Sequence, residues 1–208
     1  MVAFTLSIPN KLQQQSGGNG IFSFFSRDHR KNLLRFMPKN SICAEIGVWK
    51  GDFSHRILDI AKPRKLHLID PWDFQPDFPH RWYGGTRARS QEEMDAVFEG
   101  VRERFSSCIE VKFHRDYSDK AASEFPDEYF DWVYIDGNHD YEFVKQDLEA
   151  FLPKVKDGGF ITGDDYLQPS PDNSKFLPVK EAVSEFVREY PVESLKLFGT
   201  QFIIRKAG

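Results

Sequence analysis

At 208 residues the chain is one domain by length and can bury a substantial core. Its formal net charge of -4, with 28 Lys and Arg against 32 Asp and Glu, disfavours a nucleic-acid partner, which normally meets a basic face. No stretch approaches the roughly 18 apolar residues of a membrane span, no signal-like apolar run opens the chain, and the two cysteines, Cys43 and Cys108, form neither a zinc spacing nor a disulfide framework. A cytoplasmic protein without a membrane partner is expected.

Residues 1–39 read as an N-terminal segment, broken by Ser16-Gly17-Gly18-Asn19-Gly20. A short amphipathic helix over 26–37 carries Leu33, Leu34 and Phe36 and could cover the sheet or a cofactor pocket. The basic residues Arg27, His29, Arg30 and Lys31, and later Arg81, Arg87 and Arg89, read as solvated faces or loops, as charge runs usually are. Over 40–208 strands and helices alternate, which predicts an α/β domain with a parallel sheet covered on both faces. Strand one, Ile42 to Ile46, runs through Gly47-Val48-Trp49-Lys50-Gly51 into a helix from Asp52 to about Ala61. Strand two, Leu66 to Ile69, ends at Asp70-Pro71, and an aromatic loop over 71–89 leads to a helix from Gln91 to Phe105. Strand three is Ile109 to Phe113, with a short helix from Ser118. Strand four, Trp132 to Ile135, is followed by a helix from Tyr141 to Leu152 and strand five, Phe160 to Thr162. A polar loop over 168–174 precedes a helix from Val179 to Tyr190, and Gly199-Thr200 turns a terminal hairpin.

Two strand ends carry a cofactor signal. Glycine in a strand-to-helix turn permits positive φ and close approach of a ligand to the backbone, and the helix start offers free N–H groups. Asp70 lies 19 residues past Gly51, near the spacing of about 20 at which an acid meets ribose hydroxyls. A dinucleotide site prefers G-x-G-x-x-G. Here Gly47 and Gly51 are separated by three residues including the bulky Trp49, which disfavours pyrophosphate and favours an adenosine cofactor without it.

Two further strand ends carry a chemical signal. Parallel strands joined by a right-handed helix point the same way, so their C-terminal ends share one edge of the sheet. Asp136 and His139 after strand four, and Asp164 and Asp165 after strand five, should converge there. Three carboxylates without a nearby cysteine suit a hard divalent ion such as magnesium, and the imidazole suits a general base. The bland alternatives are that Asp136 caps the helix at Tyr141 and that Asp164-Asp165 is a solvated loop. No G-x-S-x-G elbow and no Gly-Lys-Ser/Thr phosphate loop is present.

On these motifs, over about residues 40–206, the chain resembles the class I S-adenosylmethionine-dependent methyltransferases. The resemblance implies a Rossmann-like, doubly wound, mostly parallel seven-stranded sheet with a C-terminal antiparallel hairpin. It implies that Glu45, Gly47 and Gly51 shape the cofactor's amino-acid end, that Asp70 accepts the ribose hydroxyls, and that Trp49 and Trp72 also bind the cofactor. Asp116 and Tyr117 fall where the family contacts adenine, with helix capping as the rival role for Asp116 or Ser118. The segment from Asp136 to Asp165 is similar to metal-dependent O-methyltransferases, particularly those acting on macrolide sugar hydroxyls. That similarity implies Asp136, Asp164 and Asp165 as magnesium ligands, Asp136 also at the cofactor, and His139 as the base. The expected acceptor is a small-molecule hydroxyl on a sugar, diol or phenol, with loops 71–89 and 167–177 as lids. A homo-oligomer is compatible with the sequence. The rivals are a metal-independent methyltransferase, a nicotinamide-dependent oxidoreductase or epimerase, and an inactive cofactor-binding module.

Overall fold

The computed structural model describes residues 28–79, 81–170 and 175–208. The polar break at 16–20 and most of the loop at 168–174 lie outside the described residues. One sheet of seven strands runs in the order β3-β2-β1-β4-β5-β7-β6. Its strands are β1 Ile42–Ile46, β2 Lys65–Ile69, β3 Val111–His114, β4 Phe130–Ile135, β5 Val155–Gly163, β6 Val192–Phe198 and β7 Gln201–Lys206. β1 to β5 pair in parallel, and β7 is antiparallel to both β5 and β6. This is the expected Rossmann-like sheet with its antiparallel terminal hairpin.

Helices α1 (His29–Phe36), α2 (Asp52–Arg56), α3 (Gln91–Arg104), α4 (Ser118–Ser123), α5 (Tyr141–Phe151) and α6 (Pro178–Glu189) cover the two faces. The alternation of side chains along β4 shows why two layers are needed. Val133 and Ile135 join one core with Val144, Leu148 and Phe186 of α5 and α6. Trp132 and Tyr134 join the other, with Leu33 and Leu34 of α1, Phe53 of α2 and Met94 and Val101 of α3. Successive strand residues face opposite ways, so a strand buried on both faces reads as a continuous apolar run.

The boundaries differ where local chemistry competes with hydrophobic pattern. β3 starts at Val111, because the Val111 amide closes a turn on the Cys108 carbonyl and leaves Ile109 88% exposed. β5 begins at Val155, not Phe160, since its pairing with β4 jumps from Phe130↔Val155 to Trp132↔Phe160 across an irregularity. Gly158, at φ 71, sits in that bulge, so the sequence there looks like a turn while the backbone stays in the sheet. α2 continues into a π-helical turn, Ile57–Ala61. A comparable short turn, Trp82–Thr86, interrupts the aromatic loop.

Candidate active site at the strand ends

The parallel strands reverse direction of winding between β1 and β4, and open α/β sheets bind ligands at such a point. Gly47, at φ 87, leaves β1 there, and its amide donates to the Ile69 carbonyl at 2.9 Å. Trp49 and Gly51 also take positive φ, 54 and 75, and Gly51 caps α2. The turn therefore curls tightly at the ends of β1 and β2.

Asp70 holds this turn. One carboxylate oxygen accepts from the amides of Val48 at 2.8 Å and Trp49 at 3.0 Å, and from the Tyr83 hydroxyl at 2.5 Å. The other accepts from the Trp72 amide at 2.8 Å. A carboxylate has about four lone-pair positions, so these donors fill Asp70, which is 1% exposed. The acid expected to meet ribose is thus engaged by its own turn and by a side chain from the aromatic loop. Burial pushes the Asp70 carboxyl upward, and these donors work against it. Glu45 is also buried and accepts from the Ser54 hydroxyl; burial holds its carboxyl well above the usual carboxylate range. Trp72 is fully buried, donates its indole N–H to the Trp49 carbonyl at 2.9 Å and packs on Phe98. The Trp49 ring lies 5.6 Å from Trp82 and 5.3 Å from Tyr83.

At the end of β3, Asp116 accepts from the Tyr117 amide at 2.8 Å. The Tyr117 hydroxyl donates to Asp73 at 2.7 Å and is pushed up to about 12, by burial and by that carboxylate. α4 is capped at Tyr117 without a side-chain hydrogen bond, so neither Asp116 nor Ser118 fills the capping role. The Ser118 hydroxyl instead donates to Asp147 of α5. Sequence reasoning missed Asp147, a buried acid on a helix face; burial pushes it up to about 7.

The acidic centre lies across the neighbouring ends of β4 and β5. Ile135 and Gly163 pair in register, so Asp136 and Asp164 emerge side by side. Their side chains then part company with the expected grouping. Asp165 takes a left-handed backbone, φ 59, and one of its oxygens lies 2.8 Å from Nδ1 of His139. With its side-chain oxygen and nitrogen assigned so that its donors meet acceptors, Gln168 donates to Asp165 at 2.9 Å. Ligating atoms of Asp136, His139 and Asp165 lie within 4.8 Å of one another. Asp164 faces elsewhere: it accepts from Arg30 Nε at 2.7 Å, from the Thr200 hydroxyl at 2.8 Å and from the Gln201 amide. Gln201 in turn accepts from the buried Tyr134 hydroxyl at 2.7 Å. The structure thus groups two of the three expected acids with His139, and engages the third with Arg30 and the terminal hairpin. Asp136 does not cap α5; that position belongs to Asp140.

Arg30 corrects the reading of its basic run as solvated. Its guanidinium bridges Asp164 and Asp136, the latter at 3.0 Å, and its Cζ lies 5.2 Å from the centre of the Phe53 ring. Arg81 is likewise no free loop cation: it pairs with Asp140 beside His139. Charge follows this layout. Burial pushes Asp136 up to about 7, against the pull of Arg30 and His139. Asp164 is lowered, because Arg30 and the hydrogen bonds on it outweigh its burial. Burial alone would lower His139, but the hydrogen bond and charge of Asp165, with Asp136, raise it.

A family profile described as a methyltransferase domain matches residues 44–166, more than half of the chain. No curated protein matches the sequence. Among solved structures, a Staphylococcus aureus protein assigned as a caffeoyl-CoA O-methyltransferase is similar over 91% of this chain and 86% of its own, at 15% identity and a TM-score of 0.59. The N-methyltransferase NodS of Bradyrhizobium japonicum is similar over 88% and 96%, at 12% identity and a TM-score of 0.56. A Streptococcus mutans protein assigned as a methyltransferase, solved with S-adenosylhomocysteine, is similar over 86% and 94%, at 15% identity and a TM-score of 0.51. Identities this low speak for the fold, and the profile, the strand order and the glycine turn together say that the chain belongs to the class I S-adenosylmethionine-dependent methyltransferases.

Proposed function

We propose that the protein methylates a hydroxyl of a small organic acceptor and that His139 takes the proton. The observation that carries this reading is the 2.8 Å contact between His139 Nδ1 and Asp165 at the edge where the cofactor cleft opens. A base whose second partner fixes its ring and tautomer is the arrangement that proton removal from a poor nucleophile needs. Asp165, held by Gln168, orients the ring and stabilises the imidazolium once the proton has moved. When bound, S-adenosylmethionine supplies an electrophilic methyl group on a sulfonium. The acceptor oxygen would take that methyl from the sulfonium sulfur, and His139 would hold the hydroxyl proton.

The residues present fit both groups. At Asp70 the Tyr83 hydroxyl already offers the carboxylate the O–H donor that a ribose would offer. Tyr83 must leave for ribose to bind, so Tyr83→Phe should tighten S-adenosylhomocysteine binding about tenfold, the lower end of a 1.5–3 kcal/mol hydrogen bond to a charged acceptor. Calorimetry checks this, and an unchanged Kd would mean that Asp70 does not receive the ribose. At the acidic centre, the carboxylates of Asp136 and Asp165 suit a hard divalent ion, with the His139 imidazole beside them as the base, and the guanidinium on Asp136 is a positive charge already held there. Asp136 and Asp165 would hold a magnesium ion, which would lower the pKa of an acceptor hydroxyl. Cys43 and Cys108 are free thiols, which suits the reducing cytoplasm proposed as its location.

The test is release of S-adenosylhomocysteine with a panel of catechols, sugars and matched amines, with and without chelator. Turnover of hydroxyl acceptors, lost in chelator and restored by magnesium, is expected. Methylation of the amines alone would sink the O-methyl reading, and full turnover in chelator would sink the metal.

A further inference from the structure

We propose that Arg30 is a positioning residue that sets the divalent-ion affinity of the acidic centre by holding Asp164 out of the ligand set. The residue comes from α1, outside the matched domain of residues 44–166, yet its guanidinium lies between the ends of β4 and β5. Its Nε is 2.7 Å from Asp164 and one terminal nitrogen is 3.0 Å from Asp136.

Delivery of this cation is rigid. Leu33, Leu34 and Met37 bury α1 in the core beneath the sheet, and the N-cap residue Asp28 pairs with Arg56 of α2. The guanidinium packs on Phe53 rather than swinging free. Little side-chain entropy is left to lose when it meets the carboxylates, so the bridge is worth more than a surface pair.

Two consequences follow for an ion. A fixed guanidinium on Asp136 repels a second cation at the same carboxylate through Coulomb's law at short range. It also draws Asp164, which Thr200 and Gln201 hold from the other side, away from Asp165 and His139. The chain therefore offers an ion two carboxylates, and removal of the guanidinium frees one oxygen of a third, Asp164, whose other oxygen stays with Thr200 and Gln201. This inference uses the proposed acidic centre but not the acceptor chemistry. A protein that fails to methylate hydroxyls can still show the effect.

The experiment is a titration of the full chain with Mn2+ alone, following free ion by electron paramagnetic resonance. Arg30→Met should tighten the Mn2+ dissociation constant about tenfold or more, and Asp164→Asn in the same chain should remove most of that gain, leaving the part that comes from relief of charge repulsion at Asp136. Arg30→Lys, which keeps the charge, should stay near the wild type. Arg30→Gln replaces Arg30→Met in the same comparison if the latter melts early. Equal Mn2+ affinity in wild type and Arg30→Met, or a gain that survives Asp164→Asn undiminished, would overturn the proposal. Wild type without measurable Mn2+ binding, beside a clear gain in Arg30→Met, supports it while removing the ion from the proposed reaction.

Discussion

His139→Ala slows methyl transfer about 10²–10⁴-fold, the usual contribution of a positioned base, and leaves S-adenosylhomocysteine affinity nearly unchanged. The separation of the two effects follows from the layout. His139 sits at the acidic centre with Asp165, whereas the expected cofactor turn is built by Gly47, Asp70 and their partners at the ends of β1 and β2. The pH profile supplies a second reading. A base works in its neutral form, and Asp165 and Asp136 raise His139 against the effect of burial. The wild-type rate should therefore climb with pH through a midpoint above the ordinary histidine value of about 6.5. Below that midpoint His139 is protonated and idle. The alanine variant should lose this acidic limb together with its rate. Single-turnover kinetics across pH decide the matter, and a variant with normal turnover and the same profile would make His139 a structural residue.

Gly47→Ala should produce the largest structural effect. The position has φ 87, where a Cβ strains the backbone, and the added carbon would lie 2.3 Å from the Asp136 carbonyl oxygen and 2.7 Å from Gly137 Cα. Both obstacles are backbone, so no rotamer change relieves them. The backbone cannot drift apart cheaply either, because Gly47 donates to Ile69 and the Asp136 amide donates to Ile46 at 2.8 Å. A loss of about 3 kcal/mol or more is expected from strain plus overpacking. Whatever folds should bind S-adenosylhomocysteine poorly, since the turn that carries Val48 and Trp49 to Asp70 is displaced. Chemical denaturation measures the first effect and calorimetry the second. A stable variant with intact cofactor affinity would show that the β1 and β4 turns separate freely.

The two experiments probe one junction from two sides. Gly47 and Asp136 leave neighbouring strands at the same level, and Asp136 lies at once against the cofactor turn and in the acidic centre. A variant at Gly47 therefore disturbs both halves of the site, while a variant at His139 reaches only one.

Elements whose signal is local were legible in the amino-acid sequence. β1 and β4 could be read because both faces bury, so each stands out as a short apolar run bounded by turn residues. The turn at Gly47 and Gly51, the start of α2 and the terminal hairpin were legible because positive φ and tight reversals select glycine. Parallel connection then placed Asp136, His139, Asp164 and Asp165 on one edge before any coordinate was known. Only tertiary structure decided where those side chains point. Asp164 and Asp165 are adjacent in sequence, yet one meets Arg30, Thr200 and Gln201 and the other His139. Tyr83 reaches Asp70 from 13 residues away, and Arg30 reaches Asp164 from 134. No local pattern encodes such pairs. A carboxylate takes whichever donors the packed helices and loops bring to it, and that supply is set by how α1, the aromatic loop and the hairpin settle onto the sheet.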